Sequence, residues 1–468
     1  MADLSLTRKS ARELAELIRD RSVSPVEVLD AHLAAIEQIN PKLNAIVTLA
    51  AEQARDAAQT AESAVMHNEP LGLLHGIPVA IKDITPTAGI RTTYGSPLYR
   101  ENIPTEDAEV VRRLKVAGAI IIGKTNTPEF ACGAYTHNGV FGATLNPWNP
   151  RLSPAGSSGG SAVAVATGMV PIAQATDFGG SIRVPAAFCG IVGIRPTPGL
   201  VPSYPMPLAW DPGQTNGPLA RNAQDAALML DAMVGFSSLS PISVAPPWQS
   251  ALDEVERRTG PKGLRIAYAP DIAGIGVDAE VEARCREAAV RLRDAGGTVE
   301  EIDFSASDGR APYRVWRGLW MVGQQYQRLS ELEQFGEALK GNVRAGLKMT
   351  ALDFAAAEQE RQEVFHRFRT LFERFDALLT PVAPVQPFPV EKNSPDQING
   401  KKFDNYIDWI APAFLVTLVS LPAASAPAGL TSDGLPVGIQ IVAPRFEEPT
   451  ILSLAGLIHR QSGVGWPP

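Results

Sequence analysis

Apolar and polar positions change period several times along this chain, and the changes outline its elements. Residues 11–66 read as helical: Ser24 is an N-cap, Pro25 takes the first helical position and Glu27 completes a capping box, with Val28, Leu29, Leu33 and Ile36 on one face. Beyond Gly72-Leu73-Leu74-His75-Gly76 a short apolar strand is predicted at 79–82, ending in the turn-rich run from Asp83 to Gly89. A helix over about 107–117 feeds a strand at 119–123, and a small-residue helix at 162–168 precedes a strand at 172–176. Residues 196–218 are rich in proline and glycine and read as irregular, followed by a helix at 222–234 and a Ser/Pro-rich surface connection at 237–248. Strands at 264–268 and 298–302 flank a helix at 277–295, and residues 312–375 read as mainly helical. A strand at 377–381 and the turn Ser432-Asp433-Gly434, between apolar runs at 421–427 and 436–442, precede a last helix at 448–459. Strands alternating with helices predict an α/β fold: a mixed, mostly parallel central sheet flanked by helices.

Composition narrows the function classes. The 468 residues are 45% hydrophobic and 20% charged, which is ordinary for a globular protein with a large core. A net charge of −8 without a basic run gives no nucleic-acid surface. Cys132, Cys189 and Cys285 lie far apart with no C-x-x-C pair, so a reducing, cytoplasmic setting is expected and neither a disulfide framework nor a zinc ribbon. The first ten residues lack the apolar core of a signal peptide, and the apolar run 413–430 is broken by Thr417, Ser420, Pro422, Ser425 and Pro427, so no membrane association is expected.

Two short patterns suggest chemistry that their surroundings oppose. Gly118 to Thr125 fits the phosphate-loop spacing, but its four variable residues form an apolar strand and Asn126-Thr127-Pro128 follows the threonine, so the bland reading is a strand end. Gly156-Ser157-Ser158-Gly159-Gly160 fits the nucleophile elbow of α/β-hydrolases, yet His366 and His459, the late histidines, both sit in helical stretches. The six histidines show no ligand spacing, so no metal and no cofactor are expected.

The richest stretch runs from Pro154 to Gly199, where two serine-glycine turns, Gly156-Ser157-Ser158-Gly159-Gly160 and Asp177-Phe178-Gly179-Gly180-Ser181, bracket an apolar segment. Consecutive glycines beside a hydroxyl let backbone N–H groups converge, so a nucleophile and an anion hole can share one loop. This segment, with Gly76-Ile77-Pro78-Val79-Ala80-Ile81-Lys82-Asp83 upstream, resembles the amidase signature family, serine hydrolases of amide and related C–N bonds.

The resemblance implies one large domain over 1–468, with an N-terminal helical part (1–70), a catalytic core (76–235), a variable, mainly helical segment (236–375) and a C-terminal part returning to the core (376–468). It implies Ser181 as nucleophile, Ser157 as bridging serine after a cis Gly156–Ser157 peptide, and Lys82 as base. Backbone N–H groups of Phe178, Gly179, Gly180 and Ser181 would form the oxyanion hole. Ser158 would support the site, and Asp177 and Arg183 would brace the loop as an ion pair. By the same resemblance Ala131 and Cys132 should line the substrate pocket, with Met206, Trp210 and Ile410 as neighbours, which favours an apolar or aromatic small-molecule amide, anilide or carbamate. The alternative is the glutamine-hydrolysing component of the tRNA-dependent amidotransferase, which usually carries a carboxylate where this chain has Ile410, although Asp408 is near. The resemblance leaves the oligomeric state open, a homo-oligomer included.

Overall fold

Eleven strands form one sheet whose order, edge to edge, is Ile46–Leu49, Ile120–Thr125, Pro78–Lys82, Ile172–Asp177, Thr215–Ala220, Val192–Arg195, Ala423–Leu430, Pro436–Val442, Ala377–Pro381, Arg265–Tyr268 and Thr298–Glu301. The computed structural model describes residues 3–468; residues 1 and 2, the start of the N-terminal helical part read from the sequence, lie outside the described residues. The sheet is mixed and flanked by helices. Its parallel pairings gather into two blocks, one joining Pro78–Lys82 to Ile120–Thr125 and Ile172–Asp177, the other joining Arg265–Tyr268 to Thr298–Glu301 and Ala377–Pro381. Between the blocks the strands run antiparallel, because the C-terminal hairpin of Ala423–Leu430 and Pro436–Val442 is laid between them. Alternation of helix and strand does not reveal that insertion.

Every residue of Pro78–Lys82, Ile120–Thr125 and Ile172–Asp177 is buried, which is why these strands read as continuous apolar runs rather than alternating ones. Gly159–Ala166, the helix after the first serine turn, is also buried throughout. Its small side chains let it lie close against the sheet. A Cβ at Gly160 would stand 2.3 Å from the Asn126 backbone nitrogen, so a larger residue would push the turn away from the strand that carries Lys124 and Thr125.

Two strands escape the sequence pattern. Ile46–Leu49 lies inside the stretch read as helical, pairing antiparallel with Ile120–Thr125. The preceding helix stops at Leu43 because Asn44 takes the left-handed conformation (φ 54°), and its side-chain amide then donates to the carbonyls of Phe141 and Ala143. Thr215–Ala220 begins within the stretch read as irregular, and it is a central strand pairing with Ile172–Asp177. Pro218 and Gly217 suppress the strand signal there. Residues 236–375 contribute Arg265–Tyr268 and Thr298–Glu301 to one edge and the helices Arg310–Gln325 and Ala351–Arg374 to the packing around the site. Among the described residues no helix is long and apolar enough to cross a membrane.

Candidate active site

Lys82 ends its strand with a side chain that is 0% exposed. Its Nζ lies 2.6 Å from Ser157 Oγ, 2.9 Å from Ser158 Oγ and 3.0 Å from Thr176 Oγ1. Three neutral hydroxyls surround the amine, and no carboxylate of the described residues forms a salt bridge with it. Burial therefore moves the Lys82 pKa well below that of an ordinary lysine, opposed only by the Asp177 charge. The Lys82 backbone N–H donates to Gln174 Oε1 at 3.1 Å, and Gln174 Nε2 donates to Asn216 Oδ1 at 2.8 Å, which fixes the strand end.

The Gly156–Ser157 peptide is cis. Ser157 and Ser158 are buried, and the Ser158 hydroxyl donates to the Thr176 carbonyl at 3.2 Å. The two serine turns are tied by the Ser158 N–H, which donates to the Ser181 carbonyl at 3.2 Å. Ser181 is half-buried and lines the same narrow cavity as Ser157 and Thr176. Its hydroxyl has no hydrogen-bond partner among the described residues. A broader groove lined by Asp3, Glu27 and Asp30 contains none of these side chains.

The second turn is held from below. Asp177 accepts from the N–H groups of Gly180 (2.8 Å) and Ile182 (3.1 Å) and from Arg183 Nε (3.0 Å) and Nη2 (2.8 Å). Burial would raise its pKa, but the Arg183 guanidinium, then Arg195 and the Gly180 N–H, outweigh burial and hold the carboxylate well below its usual range. Arg183 also donates to the Ala413 carbonyl, Gln440 Oε1 and Thr417 Oγ1, so the turn is anchored to the C-terminal part of the chain. Gly180 adopts φ 110°, which a side chain would resist, and a Cβ there would meet Ala413 Cβ at 2.7 Å. Removing one partner of a fully buried ion pair typically costs about 3–5 kcal/mol. Arg183→Met is therefore expected to lower the thermal midpoint and activity together, measured by scanning fluorimetry beside a rate assay; an unchanged midpoint would mean that the pair does not brace the turn.

The structure changes several expected roles. Gly180 has its N–H directed at Asp177, so the amides left open toward the cavity are those of Phe178, Gly179 and Ser181, none of which has a backbone or side-chain acceptor among the described residues. Trp210 is 78% exposed and forms no wall of the cavity, because the loop that carries it projects into solvent. Cys132 is buried with its thiol 3.9 Å from the Ala338 carbonyl, outside the cavity lining. Met206 is also outside it, and its sulfur lies 4.0 Å from Gln214 Nε2. Ala131 and Ile410 do line the cavity. Lys124, the lysine of the phosphate-loop pattern, lies in a buried strand and donates to Thr87 Oγ1 at 2.8 Å and to the Thr85 carbonyl. No phosphate cradle exists there.

Sequence reasoning missed Thr176, Gln214, Tyr313, Arg317, Trp320, Met321 and Ile407, which complete the lining with Gly133 and Ala134. Tyr313, Arg317, Trp320 and Met321 repeat at helical spacing on Arg310–Gln325, and such a stripe reads as core. Phe178 stacks on Trp320 with ring centroids 4.2 Å apart, and Tyr313 stacks on Phe414 at 4.0 Å, so core and cavity wall are here the same surface.

Residues 27–452 match the Amidase family model. The chain is 35% identical over 464 residues to an acylamidase of Rhodococcus erythropolis, covering 97% of this chain and 96% of that protein. It is 32% identical over 466 residues to the GatA-type component of the glutamyl-tRNA(Gln) amidotransferase of Alkaliphilus metalliredigens, covering 94% and 93%. A bacterial aryl acylamidase of known structure superposes with a TM-score of 0.90 at 29% identity, covering 97% of this chain and 96% of that one. The chain belongs to the amidase signature family. Within that family it is an amidohydrolase, an enzyme acting on amide substrates.

Proposed function

We propose that the protein hydrolyses apolar or aromatic acyl-amides, anilides or carbamates through an acyl-enzyme on Ser181. The observation that carries this reading is Lys82 Nζ, buried without an anionic partner and 2.6 Å from Ser157 Oγ. A neutral amine has two N–H donors and one lone pair, so among three surrounding hydroxyls at least one must donate to it. Ser158 already directs its proton to the Thr176 carbonyl. Ser157, the shortest contact, is the natural donor, which leaves its oxygen ready to take the proton of Ser181 as substrate closes the gap.

Ser181 Oγ then attacks the carbonyl carbon, its proton passes to Ser157, and the Ser157 proton passes to Lys82. The amides of Phe178, Gly179 and Ser181 receive the oxyanion, and loss of one such donor costs about 10²–10³ in rate. Reversal of the relay protonates the leaving amine. Water, deprotonated along the same path, cleaves the acyl-enzyme and restores Ser181.

The glutaminase reading draws support from the amidotransferase components among the relatives. Against it, Ile410 is apolar and lines the cavity, while nearby Asp408 is buried with both oxygens taken by Arg314 Nη2 at 2.8 and 2.7 Å. That leaves no free carboxylate at 408–410 for the ammonium of glutamine. The purified chain alone is expected to release 4-nitroaniline from 4-nitroacetanilide or a related short-chain anilide and no ammonia from glutamine. Glutamine turnover without anilide turnover would reverse the choice.

A further inference from the structure

Four residues of the helix Arg310–Gln325 face the catalytic cavity: Tyr313, Arg317, Trp320 and Met321. Three of them supply aromatic or thioether surface. Arg317 does not belong to that pattern. Its residue exposure is 9%, and it forms no salt bridge among the described residues, whereas buried Arg183 and Arg195 both neutralise on Asp177 and Arg314 pairs with Asp408. Its hydrogen-bond acceptors are neutral: Asn342 Oδ1, and the Tyr406 hydroxyl at 2.9 Å.

A guanidinium carries five N–H donors in a rigid fork, and two are spent on those acceptors. Burying such a charge without a counter-charge is costly, and an oxyanion is its best complement. One helical turn on, Trp320 Nε1–H is buried and has no acceptor. Cation and orphan donor thus stand at i and i+3 on one face, beside the serine turns. The requirement they leave open is for an acceptor that the chain does not provide.

We propose that Arg317, with Trp320 Nε1–H, forms a subsite for a carboxylate carried by the substrate, so that the preferred substrate is an aromatic or apolar amide bearing an acid group. This rests on the hydrolytic reading above and adds the charge of the substrate to it. The apolar wall of Met321, Ile407 and Ile410 would hold the hydrocarbon part, and Arg317 would fix its orientation over Ser181. A site built to pair with a charged group discriminates strongly against analogues lacking it, because the guanidinium is then left unpaired.

The test uses labelling of Ser181 by a fluorophosphonate in wild type, Arg317→Met and Arg317→Lys, with benzoate or benzyl alcohol as competitor. Benzoate is expected to slow labelling of wild type at concentrations at least about tenfold below those needed with benzyl alcohol. Arg317→Met should erase that difference and Arg317→Lys should keep part of it. In turnover, Arg317→Met should raise KM for 4-acetamidobenzoate far more than for acetanilide, with a smaller change in kcat. Equal protection of wild type by the two competitors would overturn the subsite, and this arm decides even if both variants fail to fold. A loss of both competitors alike in Arg317→Met would also overturn it. Absence of any Ser181 labelling in wild type would instead remove the hydrolytic reading, whereas labelling that benzoate leaves untouched would remove the subsite alone.

Discussion

Ser181→Ala is expected to lower turnover of any anilide or amide substrate by at least about 10⁴-fold, as loss of the nucleophile does in other serine hydrolases. Labelling by a fluorophosphonate should disappear in the same variant. The fold should survive. Ser181 Oγ has no hydrogen-bond partner among the described residues, and the turn is held instead by the Asp177–Arg183 pair and by the Ser158 N–H on the Ser181 carbonyl. A normal thermal midpoint with no label would therefore separate chemistry from folding. Mass spectrometry would locate any remaining label, and label at Ser157 or Ser158 would move the nucleophile to the first turn.

Lys82→Ala should cut kcat/KM by about 10²–10⁴, the range for loss of a positioned general base. The sign of the pH dependence follows from burial. Desolvation holds the Lys82 pKa well below 10.5, so the amine loses its proton at a lower pH than in the unfolded chain. Wild-type activity should then fall as pH drops through that depressed pKa, since protonated lysine cannot accept from Ser157. In Lys82→Ala this limb should vanish, and hydroxide should restore part of the rate at high pH. The same shift acts on stability: the folded chain binds this proton less tightly than the unfolded one, so Lys82 opposes folding increasingly as pH falls from 10.5 through its folded pKa. A variant with an unchanged neutral-pH rate would end the role of Lys82 as base.

The residues of the proposed relay are legible in sequence because they sit in two short glycine-rich turns and one strand end, where local chain geometry dictates residue type. Gly160 has no room for a Cβ and Gly180 needs a positive φ, so the turns leave a pattern of glycines that survives in one dimension. Thr176 was within reach of the same reasoning. It stands one residue before Asp177 at the end of a buried strand parallel to that of Lys82, and side chains leaving neighbouring strand ends meet. The roles of Gly180 and Trp210 were not legible. Which amide an aspartate captures, and whether a loop tryptophan turns inward, depend on what surrounds the loop.

The chain pattern by itself determined the alternation of helices and strands, the buried character of the strands at Lys82 and Asp177, and the two turns that carry Ser157 and Ser181. Only the tertiary structure decided how far apart these groups lie, that a C-terminal hairpin interrupts the parallel order, and that Arg317 stands in the cavity without a counter-charge. The division has one physical cause. Turn geometry and strand burial are set by near neighbours in the chain, whereas the electrostatic partner of a side chain is chosen by contacts such as Lys82 with Ser157 or Arg183 with Gln440, separated by 75 and 257 positions.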